Sequence, residues 1–113
     1  MVVQKVLIVW SNPLFYETVR LLLIHPKVEV GGVAWKQADM YATMEDFRPN
    51  AIIVEAMDTS DDMNVEALTI LGASPWDPRV IRLSLEDNEL WLYRREQRIV
   101  EQADDLLQMI LNG

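Results

Sequence analysis

Short unbroken apolar runs alternate along this chain with stretches in which apolar residues return every three or four positions. Val6 to Trp10 (V-L-I-V-W) is such a run, bounded by Ser11-Asn12-Pro13, as expected for a strand covered on both faces. Asn12 suits a helix N-cap, and Pro13 suits the first helical position, where its missing amide costs nothing. The helix is expected over Leu14 to Ile24. It stops before Pro26, because the residue ahead of a proline is pushed out of the α region. Val28 to Ala34 (V-E-V-G-G-V-A) reads as a second strand, weakened by two glycines. Ala38 to Phe47 reads as a helix with Met40, Met44 and Phe47 on one side. Arg48-Pro49-Asn50 ends it, and Ala51 to Glu55 (A-I-I-V-E) is a third buried strand. Asn64 to Leu71 predicts a further short helix ended by Gly72. Alternating strands and helices of this kind predict an α/β fold with a parallel sheet and right-handed crossovers.

The last third changes pattern. Arg79 to Leu85 (R-V-I-R-L-S-L) is a strand, and only Glu86-Asp87-Asn88-Glu89 separates it from Leu90 to Tyr93 (L-W-L-Y). That is too short for a crossover helix, whereas Asp87-Asn88 suits a two-residue hairpin turn because both residues tolerate φ > 0. The expected register sets Leu85 opposite Leu90, Ser84 opposite Trp91, Leu83 opposite Leu92 and Arg82 opposite Tyr93. One face is then leucine and faces the core. The other presents Arg82, Ser84, Trp91 and Tyr93. A second turn at Arg95-Glu96-Gln97 leads to Arg98-Ile99-Val100, and a closing helix is expected over Glu101 to Leu111.

Composition narrows the function classes. The 113 residues fit a single domain, residues 1–113, with half of the residues hydrophobic. A formal charge of −8, from 18 acidic and 10 basic residues, leaves no long-range attraction for nucleic acid. The absence of cysteine excludes disulfides, zinc–thiolate sites and thiol catalysis. No run approaches the ~18 apolar residues of a membrane span, and no secretory leader pattern is present. A cytoplasmic protein with no membrane partner is expected.

Three segments together, V-L-I-V-W-S-N-P-L-F-Y-E-T-V-R-L-L-L, V-E-V-G-G-V-A and F-R-P-N-A-I-I-V-E, resemble the receiver domain of two-component response regulators. The likeness covers roughly residues 3–57 and resumes at V-I-R-L-S-L. It implies a flavodoxin-like α/β sandwich whose central sheet is mainly parallel. The site would lie at the carboxyl ends of the parallel strands, and the C-terminal β-hairpin would stand in place of the family's fourth helix. Receiver chemistry uses an acidic pair after the first strand to hold Mg²⁺ and an Asp ending the third strand to accept phosphoryl. A Ser or Thr ends the fourth strand and a Lys the fifth. Matched position by position, the acidic pair falls on Trp10 and Ser11, the acceptor on Glu55, the hydroxyl on Ser84 and the Lys nominally on Arg94.

Those substitutions remove the chemistry. Mg²⁺ needs hard oxygen ligands, and phosphoryl transfer relies on the ion to spread developing charge. An indole offers no lone pair, and a serine hydroxyl carries no charge. Glu55 keeps a carboxylate but moves it one methylene outward, beyond what in-line attack tolerates. Arg94, at the far end of an antiparallel strand, falls near the opposite edge. The expectation is a non-enzymatic pseudo-receiver without metal or cofactor, acting in signalling by binding a protein or itself. Alternatives are an atypical phosphoacceptor using Glu55 or Asp58, and a small-molecule sensor at the strand edge beside Trp10 and Ser11.

Each candidate has a plainer reading. Glu55 either mimics a phosphorylated acceptor or is a partly solvated strand-end carboxylate. Trp10 either stacks on a ligand or fills the space left by the missing acids. The D-T-S-D-D loop, Asp58 to Asp62, lacks the spacing of a calcium loop. His25 has no evident catalytic partner and sits where it favours a helix dipole. The Arg82, Trp91 and Tyr93 face has hot-spot composition and could pair two copies into a homodimer; the plainer reading lays the closing helix over it.

Overall fold

The computed structural model describes residues 3–34, 39–55, 70, 76, 78–86, 88–93, 98–102 and 106–112. Among these, β1 (Gln4–Trp10), α1 (Pro13–Leu22), β2 (Val28–Ala34), α2 (Met40–Phe47) and β3 (Ala51–Glu55) follow in order. Then come β4 (Arg79–Ser84), β5 (Glu89–Tyr93), β6 (Arg98–Gln102) and α3 (Leu106–Asn112). The strands form one six-stranded sheet in the order β2-β1-β3-β4-β5-β6. Strands β1 to β4 are parallel, and β5 and β6 return antiparallel.

Alternation along the strands divides the core into two faces. Val6, Ile8, Ala51, Ile53, Ile81, Leu83, Leu90 and Leu92 pack with Phe15 and Val19 of α1 and with Leu106 and Ile110 of α3. Leu7, Val9, Ile52, Val54, Val80 and Tyr93 pack with Met40 and Met44 of α2 and with Ile70. Burial on both sides explains why the central strands read as unbroken apolar runs.

Helix α1 begins as expected: Asn12 is extended, its side chain accepts from the Leu14 amide at 2.9 Å, and Pro13 opens the helix. It ends at Leu22 rather than Ile24, because the Leu23 amide turns back to the Arg20 carbonyl in a tightened last turn. Helix α2 ends at Arg48 in the left-handed region, φ 47°. Asn50 then ties three strands at their amino ends. Its amide donates to the Lys5 carbonyl at 2.7 Å, its Oδ1 accepts from the Lys5 amide at 2.8 Å, and its carbonyl accepts from the Arg79 amide at 3.0 Å.

Two further expectations need correction. The hairpin register is displaced by two residues: Arg82 pairs with Trp91, Leu83 with Leu90 and Ser84 with Glu89. The connection is therefore Leu85 to Asn88, with Asn88 at φ 52°. A shift of two keeps every side chain on its expected face, so facing alone could not choose between the registers. Glu101 and Gln102 also belong to β6, where they pair with Leu90 and Glu89, so helical structure is seen from Leu106 onward. The expected helix at Asn64 to Leu71 lies outside the described residues apart from Ile70, which is helical and fully buried. No described helix is long and apolar enough to cross a membrane.

Candidate functional site at the carboxyl edge of the sheet

Parallel pairing brings the ends of β1, β3 and β4 to one edge: Val9 lies beside Val54, and Glu55 beside Leu83. Trp10, Ser11, Glu55 and Ser84 therefore share that edge, as the sequence reading places them. The chain turns there from β1 into α1 and leaves two amides pointing out of the turn. Glu55 Oε1 accepts from both, Ser11 N and Asn12 N, each at 3.0 Å. A helix N-terminus with free amides is a ready seat for an anion, and the protein fills it with its own carboxylate. Charge-assisted bonds of this kind are stronger than neutral ones, and the helix dipole adds to them. Among the described residues, Glu55 Oε2 takes no hydrogen bond or ion pair.

Trp10 is half-buried and packs against the core on the α1 side, its ring tilted 44° to that of Tyr16 with centroids 6.2 Å apart. Tyr16 in turn lies over Gly32 of β2, where any Cβ would overlap the ring. The indole belongs to an aromatic seam between α1 and the sheet edge. Sequence reasoning missed this: Gly31-Gly32 looks like a weak strand, yet Gly32 provides the space for Tyr16. It also missed the Glu55 latch, although an Asn-Pro helix start beside a strand ending in Glu is a visible signal for one.

Ser84 is half-buried at the end of β4 and lines a groove of about 260 Å³ together with Leu14, Thr18, Glu55 and Leu83. Tyr93 pairs with Val80, so β5 ends at the opposite edge of the sheet. Arg94, the nominal Lys position, follows it and lies outside the described residues, as does Asp58 with the whole acidic loop. No group of three or more His, Asp or Glu able to hold a metal ion occurs among the described residues. His25 does local work: its Nδ1 accepts from the Lys27 amide at 3.0 Å.

Arg82, Trp91 and Tyr93 lie on the face opposite α1 and α3. Helix α3 packs its Leu106 and Ile110 on the leucine face, so it does not cover this trio. As an interface the trio shrinks. Tyr93 is 3% exposed and is a core residue, and Arg82 is 9% exposed. Trp91 stays half-exposed, with the Arg82 guanidinium 4.2 Å above its ring centroid. The two-residue register shift creates this stack by setting Arg82 directly across from Trp91. Arg82 Nε is buried, with no hydrogen-bond partner among the described residues. No family model, curated protein or solved structure matches this chain.

Proposed function

We propose that this chain is a pseudo-receiver: a regulatory module in which protein recognition takes the place of phosphoryl transfer, and which is not an enzyme. The parallel strands run in the order β2-β1-β3-β4, which agrees with the flavodoxin-like order and its site at the carboxyl edge. The four residues between β4 and β5 agree with a hairpin in place of a fourth helix.

One observation carries the reading. The carboxylate at the acceptor position is bound through Oε1 to the amides of Ser11 and Asn12, and those two turn amides are therefore spent on the protein itself. The side chains at Trp10 and Ser11 supply no anionic oxygen for Mg²⁺, which prefers carboxylate and phosphate ligands. Incubation with acetyl phosphate and Mg²⁺, followed by intact mass measurement, should show no phosphate adduct. A stoichiometric adduct overturns the proposal, and its loss or persistence in Glu55→Gln assigns the acceptor to Glu55 or to another carboxylate such as Asp58.

Self-association through the hairpin face belongs to the same reading, now centred on Trp91 and Arg82. Sedimentation at micromolar concentration should show a dimer that Trp91→Ala dissociates. A monomer in both removes the dimer.

A further inference from the structure

The groove beside Glu55 has an apolar base and an anionic lip. Phe15 and Leu83 are core residues beneath it, and Leu14, 72% exposed on α1, forms its outer wall. Glu55 and Glu86 supply two carboxylates, and among the described residues no lysine or arginine lines it. Among the described residues neither carboxylate is in an ion pair; the salt bridge found there joins Glu17 to Arg20. The N-terminus of α1 contributes about half an elementary positive charge near Glu55, so two full negative charges leave the groove anionic. Its volume of about 260 Å³ falls below the roughly 300–1,000 Å³ of cofactor and substrate sites. That leaves room for one long side chain and not for a nucleotide.

Methylenes ending in a cation complement this surface. Lysine and arginine lay their stems on apolar groups and keep the charged head at a polar rim. The chain's net charge of −8 favours approach of a basic partner. We infer that the groove receives a lysine or arginine side chain from an extended segment of a partner protein. Its stem lies over Leu14 and Leu83, and its head sits at Glu55 and Glu86. Residues flanking that side chain cover the exposed part of Leu14. This rests on the protein-binding reading above and specifies the partner's chemistry.

The test is a titration of the isotope-labelled full chain with a capped Ala-Arg-Ala peptide, followed by amide NMR. Saturable shifts are expected at Leu14, Thr18, Ser84 and Glu86. Glu86→Gln should weaken binding about two- to fivefold, the scale of one exposed ion pair. Thr18→Trp, which fills the groove from the surface of α1, should abolish the shifts while the remaining spectrum stays unchanged. Equal binding of Ala-norleucine-Ala overturns the requirement for a cation. Equal binding of agmatine assigns the groove to a small amine and overturns the partner. Absence of localised shifts overturns the site altogether. The phosphodonor experiment is separate: a chain that ignores the peptide yet takes no phosphate loses only this groove assignment. A chain that binds the peptide and becomes phosphorylated loses only the pseudo-receiver reading.

Discussion

Glu55 joins two roles that a strand-end carboxylate usually keeps apart: it ends β3 and it completes the β1–α1 turn. Were it simply solvated, its removal would cost almost nothing. With two charge-assisted bonds to backbone amides, Glu55→Ala should lower stability by about 1–2 kcal/mol. Glu55→Gln, which keeps a neutral acceptor, should lose about half as much. Urea denaturation checks this, with a shifted midpoint and unchanged slope as the signature. Arg79 is a second polar residue with a packing role. It is 6% exposed and donates to the carbonyls of Met109 and Ile110 in α3. A guanidinium there satisfies carbonyls that a helix end leaves unpaired and opposes the negative end of the dipole. Arg79 explains how a helix of only seven residues is held on the sheet.

At the scale of elements, β2 and α1 are fitted to each other through Gly32. Gly32→Ala should destabilise by about 1–3 kcal/mol, the usual cost of overpacking, and combination with Tyr16→Ala should recover part of it. Gly31→Ala is the control. Its nearest neighbour, Phe47 Cζ, would lie 3.4 Å from the new methyl, and the variant should stay within about 0.5 kcal/mol of the parent or gain slightly. Thermal or urea unfolding of Gly32→Ala, Tyr16→Ala, their combination and Gly31→Ala checks both.

These elements also show what was legible beforehand. The bounds of β2 and β3, the Asn12 cap and the Pro13 start follow from local chemistry: β-branched runs, a side-chain oxygen at the N-cap, and proline's missing amide. The hairpin's facing was legible because side chains alternate every residue. Its register was not, because two pairings that differ by two residues bury the same leucines, and the choice depends on the turn and on Arg82 finding Trp91. The start of α3 was misplaced because Glu101 and Gln102 suit a helix by propensity but follow Ile99-Val100 into the sheet. Sequence placed Glu55 at the site edge; its partners are backbone amides, so the latch shows in the sequence only indirectly, through the Asn12-Pro13 helix start beside the strand that ends in Glu55.

Taken whole, the molecule is a sheet with helices on both faces, and its edges differ in character. At the carboxyl edge the protein has internalised its own anion and kept an acidic groove beside it. At the amino edge it uses a single side chain, Asn50, to extend the ladder from β3 to β1. That second device has a kinetic consequence. Amides at strand ends usually fray and exchange with solvent at little free-energy cost. The Lys5 amide, held at 2.8 Å by Asn50 Oδ1, should instead exchange as slowly as the buried amides of its strand. Asn50→Ala should restore fast deuterium uptake at Lys5 while leaving Ile8 and Ile53 protected. Asn50→Asp, which keeps the acceptor, should not. The time for which this margin of the sheet stays closed to water is then set by one carboxamide.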